Sequence, residues 1–134
     1  MLCCAAPACG TTYQPAPTAR VGLVIHHGEI FYAKDGREVP AGLVGGSLEP
    51  LVASSTLAAS RAHRAHDQLM FGVPLYVGGL ATMAIGLALS WTPVGWIVLG
   101  LGAASGGTGL GLMGAGVTNA VDAVNIHNDA ATSR

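Results

Sequence analysis

The sequence predicts a mainly α-helical membrane protein, in which a small antiparallel β-meander and an amphipathic helix precede a two-span, glycine-rich helical hairpin. Three observations predict this fold class. The 134-residue chain is 51% hydrophobic and only 10% charged, whereas soluble domains carry roughly 25% charged residues. Between Asp67 and Asp122 there is no Lys, Arg, Asp or Glu. Glycine is concentrated within that uncharged stretch, at residues 100–116. The length predicts one domain.

Residues 1–19 are predicted to be the remainder of a signal peptide followed by a tether. The three cysteines, Cys3, Cys4 and Cys9, are too few and too clustered for a disulfide framework or a zinc site. The stretch "LCCAAPACGTT" resembles the end of a bacterial lipoprotein signal peptide, which implies Cys9 as the lipid-carrying residue. The alternative is an unmodified, disordered tail. Proline and small polar residues at 10–19 favour a tether.

Residues 20–46 are predicted to form the β-meander. Two runs of strand-forming residues, "VGLVI" and "EIFYAK", are separated by His27-Gly28, and Asp35-Gly36 is a strong hairpin signal before a third short run. Such a small sheet is marginal alone, so we expect it to lean on a helix or on a second copy.

Residues 47–68 are predicted to form the amphipathic helix, with Ser47 as N-cap and Glu49 in its first turn. Its polar end is predicted to face lipid head groups as an interfacial collar formed by Arg61, His63, Arg64 and His66. The alternative for the two collar histidines is a metal site completed by His26 and His27. Apart from Asp67, no carboxylate or cysteine is placed to complete it.

Residues 69–118 are predicted to form two membrane spans. Each apolar run reaches the roughly 20 residues that a span needs. The interruption "SWTPVGW" predicts a turn at the membrane interface, where Trp91 and Trp96 are expected to anchor it. Pro74 lies near the start of the first span, where a kink is tolerated. Residues 119–134 form a polar C-terminal segment.

The glycine-rich stretch has three possible roles. Gly109, Gly111 and Gly114 fit the G-x-G-x-x-G phosphate motif, but no βαβ unit surrounds them and no lysine lies nearby for a P-loop. A flexible linker is excluded because apolar residues are interleaved and loop backbone stays unsatisfied in lipid. Close helix packing remains.

Small residues recur every four positions on both spans, which predicts a helix-packing face, either within the hairpin or between side-by-side copies of it. They are Gly78, Thr82, Gly86 and Ser90 on the first span, and Ala103, Gly107, Gly111 and Ala115 on the second. We expect Gly107→Leu or Gly111→Leu to disrupt assembly of the hairpin, and Leu110→Ala to have little effect.

The run resembles the glycine-zipper segments of small bacterial envelope proteins, several of which are lipoproteins. Over residues 30–128 the chain also resembles a group of small uncharacterised bacterial envelope proteins. The similarity rests on the motif Y-x-x-D-G at Tyr32–Gly36 and on the ending Ala123–Asn128, where His127 replaces a tyrosine. The resemblance implies an envelope location and no activity.

These features predict a non-enzymatic, structural or interaction component of the bacterial envelope that works through glycine-zipper packing. The alternative is a small oligomeric pore or transporter accessory subunit. Such a protein needs polar residues within its spans, and here Thr82, Ser105 and Thr108 provide only weak support for it. No cofactor and no catalytic constellation is predicted, and Asp122 is expected to pair with the collar. A net charge of −1 without a basic stripe argues against nucleic acid. The expected partners are the bilayer, further copies and other envelope proteins.

Two spans place both chain ends on one side of the membrane. Arg61 and Arg64 beside the first span favour the cytoplasm, whereas a lipidated Cys9 favours the periplasm. We favour the periplasm, because signal-peptide export overrides two arginines.

Overall fold

The computed structural model describes residues 19–42 and 46–133. Three strands are followed by three helices: β1 (Gly22–His26), β2 (Glu29–Lys34), β3 (Arg37–Pro40), α1 (Leu48–Val52), α2 (Thr56–Ala88) and α3 (Pro93–Thr132). The fold is mostly helical with one small antiparallel sheet, as the sequence predicts. The predicted lipidation site, Cys9, lies outside the described residues.

The sheet is a meander with strand order β1-β2-β3. Both of its connections are two-residue turns, at His27-Gly28 and at Asp35-Gly36. All four turn residues have positive φ, between 52° and 84°, as in the type I′ turn whose twist matches that of a hairpin. Both predicted hairpins are therefore confirmed.

One face of the sheet packs on the helices and forms a small core. Val21 and Tyr32 contribute the sheet side of this core, and the helix side consists of Leu48, Val52, Ala58, Ala62 and Ala123. Burial raises the pKa of Tyr32 above its ordinary 10.0, because a low-dielectric surrounding disfavours the phenolate. We call the sheet, α1 and the helix ends packed against them the head.

The predicted helix over residues 47–68 is not continuous. It is broken after Val52, and α2 starts afresh at Thr56 and runs without a break into the first predicted span. Ser47 makes no side-chain cap; its hydroxyl donates to the Pro40 carbonyl at 2.6 Å. The cap is instead at Ser55, whose Oγ accepts from the Ala58 amide at 3.4 Å. Serines compete for local backbone hydrogen bonds in this way, so a serine pair can break a helix.

The two long helices form an antiparallel hairpin around a short turn after Leu89. Thr92 caps α3 by accepting from the Gly95 amide at 3.1 Å, with Pro93 in the first turn, where its missing N–H costs nothing. Pro74 lies inside α2. The predicted polar C-terminal segment continues α3 as helix as far as Thr132.

Candidate functional site: the helical hairpin and its head

The outer surface of the hairpin is apolar. Large side chains such as Phe71, Leu87 and Leu101 are 70%, 65% and 63% exposed. Both helices are long and apolar enough to cross a membrane, and only 17% of the most apolar 18-residue window of each is buried inside the protein. The core helix of a soluble protein has the opposite distribution, with its apolar side chains turned inward.

The inner surface of the hairpin is a line of small residues with a seven-residue period. On α2 these residues are Ala58, Ala65, Gly72, Gly79 and Gly86, and on α3 they are Gly95, Gly102, Gly109, Gly116 and Ala123; all ten are buried. We call this line the glycine seam. Four successive steps of seven residues on each helix show that one face of α2 stays against one face of α3 along their shared length.

The seam brings the two helix backbones into direct contact. A Cβ built at Gly79 would lie 2.3 Å from the Gly106 nitrogen, and one at Gly109 would lie 2.4 Å from the Tyr76 nitrogen. Real Cβ atoms essentially never approach other atoms so closely. Only glycine therefore permits this spacing of the helices, and the resulting contacts are dispersion contacts between backbones.

The observed face differs from the predicted four-residue face. Of the predicted residues, Gly86 lies in the seam, whereas a Cβ at Gly78, Gly107 or Gly111 would meet no atom within 4 Å. Ala103 is exposed, and Thr82, Ser90 and Ala115 are half-buried. These positions do not form the contact between the two helices of one chain, so a leucine at Gly107 or Gly111 meets open space there. Packing against a second copy stays a prediction.

The difference follows from helix geometry. At 3.6 residues per turn, a step of four residues turns the helix about 40° past a full circle, so a four-residue row winds away from a neighbouring helix. A step of seven residues drifts by only about 20°. The seven-residue period was therefore the signal in the sequence that identifies the contact face over helices of this length.

Polar and aromatic residues mark the two ends of the apolar stretch. Trp91 and Trp96, 79% and 64% exposed, flank the turn. At the opposite end, the Asn119 amide donates to Gln68 Oε1 at 2.8 Å and its oxygen accepts from Arg61 at 2.9 Å. We call this hydrogen-bonded set the polar relay. The predicted partner of the collar was Asp122; the hydrogen bond from Arg61 goes instead to Asn119.

The distance between these end markers matches a bilayer. On α2, Gln68 and the last helical residue, Ala88, are about 30 Å apart at 1.5 Å per residue, and Trp96 and Asn119 on α3 are about 34 Å apart. The hydrocarbon core of a membrane is about 30 Å thick.

Hydroxyl groups between the markers bond to their own helices. Thr82 donates to the Gly78 carbonyl at 2.8 Å, Ser105 to the Leu101 carbonyl at 2.9 Å and Thr108 to the Ala104 carbonyl at 2.8 Å. Each hydroxyl proton is thereby used inside its own helix rather than directed at a neighbour.

The collar residues have different surroundings. Arg64 is exposed and His66 is half-buried, while His63 is 60% exposed and lies between two carboxylates, 3.2 Å from Glu49 and 3.5 Å from Asp67. The two carboxylates face different ring nitrogens, so the arrangement links α1 to α2 and does not converge on one point. Within residues 19–42 and 46–133, no group of three or more His, Cys, Asp or Glu could hold a metal ion.

Two residues near the end of α3 hold the chain segment that enters the sheet. The Asn128 side chain accepts from the Val21 amide at 2.8 Å and donates to the Val21 carbonyl at 3.0 Å. Buried His127 has Nε2 3.0 Å from the Ala19 carbonyl and Nδ1 3.3 Å from the Ser54 hydroxyl. A carbonyl only accepts, so Nε2 donates to it. We call this pair the C-terminal clamp.

Comparison with known proteins adds no identification. The chain has no significant match among protein-family models, curated proteins or solved structures.

Proposed function

We propose that this chain is a two-span membrane protein of the bacterial envelope, with a non-enzymatic structural or interaction role. The observation that carries the proposal is the inverted polarity of the hairpin: large apolar side chains on the outside and glycine on the inside. Water would make such a surface unstable, whereas lipid solvates it. The match between the marker spacing and the bilayer thickness supports the same conclusion.

The hairpin serves as an anchor that holds the head at one membrane face. The head packs against the start of α2 and the end of α3, at the opposite end of the hairpin from the turn. The C-terminal clamp holds its first strand against α3. We propose that this face is periplasmic, because the lipoprotein-like segment around Cys9 favours export.

A structural role is favoured over a pore. A pore needs polar groups directed at a common axis, and the hydroxyls of Thr82, Ser105 and Thr108 bond to their own helix carbonyls. Ion flux in reconstituted vesicles separates the two roles, since an anchor gives none and a pore conducts.

Alkaline extraction of membranes tests the location. The protein should stay in the membrane pellet, and recovery in the soluble fraction would refute a two-span protein. Protease added to intact spheroplasts tests the topology: cleavage within residues 20–40 is expected, whereas cleavage only after lysis would place the head in the cytoplasm.

A further inference from the structure

The β1–β2 end of the sheet exposes three large apolar side chains. Leu23, Ile25 and Ile30 are 62%, 70% and 51% exposed. Leu23 pairs with Tyr32, and Ile25 pairs with Ile30. Side chains of directly paired residues point to the same face, so all three lie on the face that buries Tyr32. The apolar face of the sheet therefore extends beyond the head core.

The opposite end of the sheet lies far from the polar relay. Asp35, in the β2–β3 turn, lines one cleft together with Ala130 and Ala131. These two alanines lie about 17 Å beyond Asn119 along α3, at 1.5 Å per residue. The charged end of the sheet is thus directed away from the level at which the apolar spans begin.

The end with the exposed apolar residues lies close to that level. The Ile30 carbonyl accepts from the Ala41 amide at 2.8 Å, and the neighbouring Pro40 carbonyl accepts from Ser47. Gly46 lies against His66, where a Cβ would be 3.2 Å from the ring. His66 is about 3 Å from Gln68 along the helix, so this end of the sheet approaches the polar relay.

The length of the first strand gives a second estimate of how close the apolar end of the sheet lies to the polar relay. Asn128, which holds Val21, lies about 13 Å above Asn119. From Val21 to Ile25 the strand covers about 13 Å, at 3.3 Å per residue. The strand runs from the C-terminal clamp towards the Ile30 end, and it is long enough for Ile25 to reach the level of the polar relay.

We propose that Leu23, Ile25 and Ile30 enter the head-group layer of the bilayer and contact the upper acyl chains, as a third membrane contact beside the two spans. This inference rests on the proposed membrane function. The layer is about 5–7 Å deep on each side of the hydrocarbon core, and it is wet enough to solvate the exposed Glu29 and the outer edge of β1, which pairs with no other strand among residues 19–42 and 46–133. Lipid fills the space that the apolar face leaves open below the core.

Tryptophan quenching by lipid tests the placement. In a W91F/W96F background, Ile25→Trp and Arg37→Trp are compared in phosphatidylcholine/phosphatidylglycerol vesicles, with and without bromine on the upper acyl chains. Both replaced residues are exposed and lie at opposite ends of the sheet. The tryptophan at 25 should emit at shorter wavelength and lose most of its emission to brominated lipid, while the one at 37 should not.

The wild-type protein separates this inference from the proposed function. Its own tryptophans, Trp91 and Trp96, should be quenched in the same vesicles if the hairpin is inserted. Quenching of the wild type without quenching at position 25 would overturn the inference and leave the proposed function intact. Equal quenching at positions 25 and 37 would also overturn it, because the sheet would then lie flat on the membrane. No quenching of the wild type would refute the proposed function itself.

Discussion

Gly79→Ala should weaken the hairpin, although alanine is the better helix former. The new Cβ would lie 2.3 Å from the Gly106 nitrogen and 2.5 Å from its Cα. Both atoms belong to backbone and cannot rotate away. To restore an ordinary contact of 3.4 Å, the helices must move apart by about 1 Å.

The expected loss is about 1–3 kcal/mol, the usual cost of overpacking a close contact. A gap of 0.5–1 Å forfeits about a quarter to a half of each dispersion contact, so the neighbouring seam contacts weaken as well. Gly78→Ala is the matched control, since it makes the same change one position away, where a Cβ meets nothing within 4 Å. The gain in helix propensity of about 1 kcal/mol is common to both variants and cancels in the comparison.

The measurement is an unfolding titration with sodium dodecyl sulfate in mixed micelles, followed by circular dichroism. Gly79→Ala should unfold at a lower detergent fraction than Gly78→Ala. Equal midpoints for the two variants would show that backbone contact across the glycine seam does not stabilise the hairpin, and the argument from the seven-residue period would fail.

Three further changes test the polar parts of the molecule. Asn119→Ala removes the centre of the polar relay and should lower the free energy of unfolding by about 1–2 kcal/mol in the same titration. Asn128→Ala removes both hydrogen bonds to Val21, so the Val21 amide should exchange faster with deuterated water, by about tenfold. Because the folded-state pKa of Tyr32 is raised, the stability it contributes is full below pH 10.0 and is lost as the pH rises through the folded value. Above pH 10.0, the tyrosinate absorbance that reports ionisation of Tyr32 should therefore rise together with the unfolding of the head.

Matched variants control these three predictions. Asn125→Ala alters an exposed asparagine on the same helix, and an effect as large as those of the other two asparagine variants would contradict the roles of the relay and the clamp. Tyr32→Phe cannot ionise; if its head unfolds with the same alkaline profile, the titration belongs to another group.

Short sequence patterns were sufficient to predict the turns and the two long helices, because the residues within each of these elements determine its structure. Asp35-Gly36 predicts a hairpin and His27-Gly28 predicts a turn, because glycine adopts the positive φ that a two-residue hairpin turn requires. The uncharged stretch predicts the two long helices because length and hydropathy alone define a span. Trp91 and Trp96, on either side of Pro93, locate the turn because tryptophan prefers the interface at the end of a span.

Contacts between distant parts of the chain could not be derived in this way. Asn128 and Val21 are 107 positions apart, and Arg61 and Asn119 are 58 apart, so no periodicity connects them. In the glycine-rich part of α3, small residues are so dense that several faces look suitable. Only the matching seven-residue row on α2 selects among them, because both partners must keep the same face along their shared length.

The seven-residue period also restricts how the hairpin can change in length. Adding or removing seven residues in both helices keeps every glycine opposite the partner backbone and changes the span by about 10.5 Å. A single inserted residue turns everything beyond it by about 100° and directs large side chains into a space that admits only a hydrogen atom. The length of the hairpin can therefore change only in steps of seven residues. If the hairpin spans a membrane as proposed, one repeat fewer would leave about 24 Å between Trp96 and Asn119, too short for a bilayer core of about 30 Å.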